Sequence, residues 1–394
     1  MAIVKFVEVC EKIGSGATPR GGKEAYSDEG ISLVRSQNVL DFSFSSDGLV
    51  HINDEQAKKL KNVELHPDDV LLNITGDSVA RACIMDSSFL PARVNQHVAI
   101  VRGKKELVLN SYILYYLQWK KDYLLQLASA GATRNALTKG MIEQLDINLP
   151  SLTEQKRIVA VLDSIQQKIS VNKKINDNLQ QQAAAIFRSW FVDCAPFGGK
   201  APDEWENVTL EDITALVSRG ITPKYADDTD QIVINQKCIR NHTIDLSLAR
   251  THTPKIINEK WLRFGDLLIN STGDGTLGRA AQVWFQPKNL TVDSHVTIAR
   301  PAKENLIFYI GLWGILHEKE IESLHTGSTG QTELPRDRVK AMELLLPDNE
   351  TLDRFNGLIT PMAAAIVANQ EENNRLAALR DAILPKLMSG EIDV

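Results

Sequence analysis

Along residues 152–190 apolar side chains recur at alternating steps of four and three: Ile158, Leu162, Ile165 and Ile169, then Leu179, Ala183, Ile186 and Trp190. Asn172 and Asn176 fill the two positions between these groups. The spacing predicts a long helix with a coiled-coil seam. The same seam returns 197 residues later as Phe355, Ile359, Met362, Ile366, Asn369, Asn373, Leu376, Arg380, Ile383 and Leu387. A buried amide costs stability unless a partner amide satisfies it, so matched polar layers fix register and partner. The two helices are therefore expected to pack on each other, antiparallel, with Asn172 and Asn176 meeting Asn369 and Asn373 near the middle. Two unrelated amphipathic helices with solvated asparagines are the alternative.

The first helix opens with Ser151-Leu-Thr-Glu154, a capping-box pattern, and should stop before Pro196 and Gly198-Gly199. At about 40 residues it would span about 60 Å, a rigid spacer. In the second helix Pro361 should introduce a kink or mark the true start, and Pro385 should interrupt or end it.

The segments between the helices repeat as well. Gly16-Ala-Thr-Pro-Arg20 answers Gly220-Ile-Thr-Pro-Lys224, and Asn73-Ile-Thr-Gly-Asp77 answers Asn270-Ser-Thr-Gly-Asp274. His97-Val-Ala-Ile-Val-Arg102 answers His295-Val-Thr-Ile-Ala-Arg300, and Gly131-Ala-Thr-Arg-Asn135 answers Gly327-Ser-Thr-Gly-Gln331. Short apolar runs at 70–72, 98–101, 267–269 and 296–298 predict strands, and stretches near 112–127 and 306–316 predict helices. The expected fold class is α+β with a pseudo-two-fold internal repeat: two mixed α/β domains, 1–150 and 196–347, separated by two long helices, 151–195 and 348–394, forming an antiparallel coiled coil.

Composition narrows the picture. With 394 residues and 43% hydrophobic content, the chain has room for two or three cores. The start MAIVKFVEVCEK meets charge within a few residues and no apolar run could cross a bilayer, so a cytoplasmic location without membrane contact is expected. Cys10, Cys83, Cys194 and Cys238 lie far apart with no C-x-x-C pair, which predicts buried apolar residues rather than a disulfide framework or zinc site. The net charge is −6, and no segment is a basic domain: 17 basic against 18 acidic residues in 1–150, and 17 against 20 in 198–347.

Candidate chemistry is thin. Gly14-Ser-Gly16 and Gly21-Gly22-Lys23 lack the P-loop spacing, and the second copy has no such lysine. Asp77 and Asp274 fit turn-shaping roles, Asp68-Asp69 reads as a strand-entry turn, and His97 and His295 fit structural hydrogen bonding. No Asn-Pro-Pro-Phe-like methylation motif and no glycine-rich cofactor loop is visible. No catalytic, cofactor or metal residue is expected in this chain.

The polar loops suit base-edge recognition, because Arg and Lys pair with guanine and Asn or Gln with adenine. The candidates are Thr18, Arg20, Lys23, Arg35, Gln37, Asn38, Asn73, Arg81, Arg134 and Asn135 in the first half. In the second half they are Thr222, Lys224, Asn235, Gln236, Lys237, Arg240, Asn270, Arg279, Thr329 and Gln331. Since phosphate contacts supply most non-specific affinity, near-neutral halves should bind DNA weakly alone, and a partner must supply charge and chemistry.

The chain resembles the specificity (S, HsdS) subunits of type I restriction–modification enzymes over its whole length. The carriers are Gly16-Ala-Thr-Pro-Arg20, Gly131-Ala-Thr-Arg-Asn135, the run Leu149-Pro-Ser-Leu-Thr-Glu-Gln-Lys-Arg-Ile158, Ser189-Trp-Phe-Val-Asp193, and Leu384-Pro-Lys-Leu-Met-Ser-Gly-Glu-Ile392. The resemblance implies two target-recognition domains, each reading one half of a split double-stranded DNA target. It also implies helices that dock two methyltransferase (M) subunits carrying S-adenosylmethionine, joined by two motor-nuclease (R) subunits that use ATP and Mg. Arg380 in place of Ala183, Pro361 in place of Ser164, and a tail without a counterpart of Trp190-Phe191 imply unequal docking surfaces. A solitary scaffold that binds M subunits without reading DNA is the competing reading.

Overall fold

The structure is a computed structural model that describes residues 2–19, 21, 25–129, 135–273, 275–327 and 332–393. It divides into two compact units, Met1–Ser170 with Asn373–Val394, and Val171–Glu372. Each unit therefore takes in part of each long helix.

The first unit contains β1 (Ala2–Lys5), β2 (Cys10–Ser15), β3 (Ile31–Val34), β4 (Val50–Ile52), β5 (Val70–Asn73), β6 (Ala82–Ile84), β7 (Ala92–Val94), β8 (Val98–Gly103) and β9 (Asp146–Leu149). A four-stranded antiparallel sheet has the order β2-β8-β5-β6, a three-stranded sheet the order β4-β3-β7, and β1 pairs with β9. Strands β3 and β7 run parallel. The continuous apolar runs are explained by burial on both faces. Val70 and Leu72 enter one core together with Tyr112, Ile113 and Leu117 of the helix Asn110–Trp119. Leu71, between them, enters a second core with Leu33, Val94 and Ile100.

The second unit repeats this frame with β10 (Glu206–Thr209), β11 (Thr214–Arg219), β12 (Ile232–Ile234), β13 (Ile239–Arg240), β14 (Thr243–Ile244), β15 (Arg250–Thr251), β16 (Leu267–Asn270), β17 (Ala280–Gln282), β18 (Leu290–Val292), β19 (Val296–Pro301) and β20 (Glu343–Leu346). Its sheets have the orders β11-β19-β16-β17 and β15-β12-β18, with the pair β10-β20 and a small β13-β14 hairpin. Leu267 and Ile269 face the core of the helix Ile307–Leu316, and Leu268 faces the other.

The first long helix runs Leu152–Phe191 and the second Asn349–Ser389. At the start of the first, the Ser151 hydroxyl accepts from the Glu154 amide at 3.3 Å, and the fully buried Gln155 side chain donates to the Leu107 and Pro150 carbonyls. In the first unit the Arg380 guanidinium donates to Gln166 at 3.0 Å and Asn148 donates to the Met388 carbonyl at 3.1 Å. In the second unit Asn172 donates to Glu372 at 2.7 Å, Asn369 donates to Asn176 at 2.8 Å, and the Phe187 and Phe355 rings stand 6.0 Å apart. Partners descend in number as the first helix ascends, so the pairing is antiparallel in each unit. The expected amide layer is present at Asn176 and Asn369, while Asn172 meets a glutamate; Asn373 is half-buried.

The second helix passes through both Pro361 and Pro385, so Pro361 does not mark its start and Pro385 neither interrupts nor ends it. Both stand on the exposed face, as do Gly357 and Asp381, whose carbonyls lose their intrahelical donors and turn to water. On the opposite face Ile359, Ala363, Leu384 and Leu387 are buried, and tertiary packing rather than propensity holds the helix.

Candidate nucleic-acid interface

In the first unit the repeated landmarks meet in one cluster of loops. The Gly16 amide donates to the Val98 carbonyl at 3.2 Å, and any side chain at Gly16 would overlap the Val94 carbonyl. Glycine is required because the loop lies flat on the β7–β8 connection. The Asn73 amide donates to the Ser36 and Val39 carbonyls at 2.8 and 3.3 Å and to the Ser78 hydroxyl at 3.1 Å, tying the 36–39 segment to the turn at 76–78. Gly76 donates to the Asn135 carbonyl at 3.2 Å, and Leu137 to the Ile74 carbonyl at 2.8 Å. Thr75 and His97 Nδ1 are 2.6 Å apart, the structural role expected for this histidine.

The second unit builds the same cluster. Gly220 donates to the Val296 carbonyl at 3.1 Å, and a side chain there would overlap the Val292 carbonyl. Asn270 donates to the Gln236 and Thr276 carbonyls, both at 3.1 Å, and Thr272 stands 2.7 Å from His295 Nδ1. Asp293, in the place of Asn95, accepts from the His295 amide at 2.9 Å. Burial pushes its carboxyl above the ordinary carboxylate range, against the opposing pull of that hydrogen bond and of His295.

At the other end of the strands that carry each cluster lies a buried ion pair that the sequence did not disclose as a pair. Asp69 meets Arg102 through two hydrogen bonds of 2.6 Å, and Asp266 meets Arg300 through bonds of 2.8 and 2.7 Å. Both aspartates are fully buried. Each also caps the turn that enters its strand, accepting from the His66 or the Arg263 amide at 2.8 Å. The strand-entry reading of Asp69 therefore holds, with an added role. The available signal was that each copy of the histidine landmark ends in arginine, with an aspartate at a matching distance upstream.

The clusters sort the candidate DNA-binding residues. Thr18, Gln37 and Asn135 are exposed in the first unit, and Thr222, Lys224, Lys237 and Arg240 in the second. Arg35, Arg81, Gln236 and Arg279 are half-buried. Gln37 donates to the Asp47 and Gly48 carbonyls and Arg35 to the Gly48 carbonyl, so both brace the loop at 45–48. Four candidate asparagines make hydrogen bonds within the chain. Asn38, Asn73 and Asn270 are fully buried and donate to main-chain carbonyls, while Asn235, 9% exposed, accepts from the Lys237 amide at 2.9 Å. Arg20, Lys23, Arg134, Thr329 and Gln331 lie outside the described residues. The sequence reading also passed over Arg250, whose guanidinium lies 3.7 Å from the centroid of the Tyr225 ring.

Comparisons with known proteins agree with this frame. The family described as type I restriction modification DNA specificity domain matches residues 1–181. The specificity subunit of the type I restriction enzyme MjaIX of Methanocaldococcus jannaschii is 25% identical over 423 aligned residues, covering 99% of this chain and 93% of that protein. That of HindI from Haemophilus influenzae is 21% identical, covering 92% of this chain and 94% of its own. The crystal structure of a type I S subunit from M. genitalium superposes with a TM-score of 0.56 at 11% identity, over 98% of this chain and 96% of that one, and supports the fold. Residues 1–181 thus carry a type I DNA specificity domain. Over nearly its whole length the chain is similar to type I restriction enzyme specificity subunits, the resemblance carried by its sequence. Among the described residues no helix is long and apolar enough to cross a membrane.

Proposed function

We propose that this chain gives a type I restriction–modification complex its target, reading a split double-stranded DNA sequence with one half-site per recognition domain. The observation that carries the reading is the same loop cluster built twice on the same buried frame, with different exposed residues on each copy. Gln37 and Asn135 stand in one, against Lys237 and Arg240 in the other. A shared frame with unlike outer residues suits two unlike half-sites. The long helices dock two methyltransferase subunits and, through them, two motor-nuclease subunits. Methyl transfer from S-adenosylmethionine and ATP- and Mg-dependent cleavage belong to those partners, and this chain is non-catalytic and works in the cytoplasm beside DNA.

The test is to co-express the chain with its methyltransferase in a host lacking adenine methylation and to map methylated adenines by single-molecule sequencing. A gapped motif of two unlike halves is expected, and exchanging residues 1–150 for those of a relative should change one half alone. Methylation of a continuous site would overturn the two-domain reading. Its absence at every adenine would favour the scaffold.

A further inference from the structure

In each unit the segment that follows the third strand of the recognition fold leaves the frame, turns, and returns: 36–48 in the first and 236–248 in the second. The turn is left-handed in both, at Phe42 (φ 62°) and at Asn241 and His242 (φ 49° and 59°). The flanking contacts match, Val39 with Phe44 and Ile239 with Ile244. From this turn one side chain reaches the helical segment beside the sheet. In the first unit it is Asp41, 2.5 Å from Lys121, and in the second His242, 3.2 Å from Glu318. Lys121 opens the helix that follows Asn110–Trp119, and Glu318 the helix that follows Ile307–Leu316. The acid stands on the turn in the first copy and on the helix in the second, and the turn residues come from neighbouring positions, since Phe42 is the counterpart of His242.

We infer that these two ion pairs are positioning tethers that hold the recognition segments bearing Gln37 and Lys237–Arg240 in their reading geometry, and that only the tether of the second unit responds to pH. This rests on the proposed DNA-reading function. In the first unit Phe42 also donates its amide to the Ala82 carbonyl at 2.9 Å. In the second, the Glu318 carboxylate additionally accepts from the Ala280 amide at 2.5 Å, fastening turn, strand β17 and helix in one contact. Glu318 is the charged side chain that touches His242. Lys237, Arg240 and Asp245 on the same segment, Arg279 before β17, and Lys319, Glu320 and Glu322 on the helix are the other charged groups on the elements packed there. The bond to Glu318 lifts the His242 pKa above its ordinary value, against desolvation. The charged tether is therefore complete below about pH 6.5 and is lost as pH rises through the raised value. Histidine is the side-chain type whose ordinary titration falls in this range, and the tether of the first unit contains none.

The experiment uses the co-expressed complex with its methyltransferase and measures methylation rates on duplexes carrying the mapped motif or single changes in either half. Asp41→Lys and Lys121→Asp should each lower discrimination at one half-site by roughly two- to fivefold, the scale of a partly exposed pair, and the double exchange should restore it. His242→Phe, which installs the residue of the first unit, should abolish a pH dependence between 6 and 8 confined to the other half-site; Glu318→Gln should do the same. Thermal midpoints of each variant separate misfolding from misreading. A double exchange no better than the single variants, or a pH dependence that survives His242→Phe, overturns the tethers. If the unaltered complex reads no gapped motif, the DNA-reading function itself fails, a result distinct from unchanged discrimination in the variants.

Discussion

Asn369 donates its side-chain amide to Asn176 Oδ1 at 2.8 Å, and Asn176 donates in turn to the Ile366 carbonyl at 3.3 Å, on a seam otherwise lined by Ile, Leu and Phe. Asn369 satisfies the Asn176 oxygen, and the Ile366 carbonyl accepts the Asn176 donor. A cross-helix amide bond of this kind resists a slip of register, since a shift by one turn would leave at most one of the two asparagine layers matched and the other amides without their partners.

Replacing Asn369 alone by leucine should therefore cost about 1–3 kcal/mol, because the Asn176 oxygen is left without its donor. Asn176→Leu combined with Asn369→Leu should recover that loss while loosening register. A double-mutant cycle in urea gives the coupling energy, and a value near zero would deny the amide bond its role.

The pair Asp69 and Arg102 should be unforgiving in a different way. Asp69→Asn leaves the guanidinium, itself mostly buried, without its countercharge and should destabilise the first unit by about 3 kcal/mol. Asp266→Asn should do the same to the second unit through Arg300. Hydrogen exchange resolved by segment would show each loss confined to its own unit, and exchange rising equally in both would contradict the division into separate cores.

All four cysteines are buried and free. Burial pushes the Cys10 and Cys83 thiols up to about 12, so at pH 8 almost no thiolate is present to react at either. A thiol-specific dye should leave both unmodified in the native chain at pH 8 and label them rapidly in urea. Fast native labelling of Cys83 would mean that its core opens far more readily than its packing implies.

Arg81→Ala and Arg279→Ala test the reading heads one at a time. If each side chain contacts a base edge, each substitution should cost about 1–3 kcal/mol of binding and relax preference within one half-site. Uniform weakening across all sequences with a shallower salt dependence would assign that arginine to a phosphate instead.

Periodicity made the long helices legible, since a seam of 3.5-residue spacing has one geometric meaning, and the strands at 70–72 and 267–269 were legible as apolar runs. Their two-sided burial was not, because a run that is hydrophobic at every position carries no alternation to say which residue faces which core. The prolines misled for a related reason. Local chemistry forbids a donor at Pro361 and Pro385 but says nothing of the exposed face on which the vacant carbonyls fall. Within the loops, composition identified polar side chains without separating those that bind outward from those that bind the chain itself. Asn73 and Asn270 were chosen for the amides that could read adenine, and those amides are spent on the carbonyls of neighbouring loops. The Asp41–Lys121 and His242–Glu318 contacts escaped because the charges are reversed and the turn residues sit at neighbouring rather than equivalent positions, which a search for identical residues passes over.

Gly16 and Gly220, pressed against the carbonyls of Val94 and Val292, mark where each recognition loop stops being free. Upstream lies backbone contact that admits no side chain; outward lie positions whose side chains face solvent. A combinatorial library that varies Thr18, Gln37 and Asn135 in one copy, or Thr222, Lys237 and Arg240 in the other, would sample new surfaces without touching a buried hydrogen bond made by Asn73, Asn270 or the aspartate–arginine pairs. Most members should fold, and the two copies could be diversified in separate experiments and then recombined in a single chain.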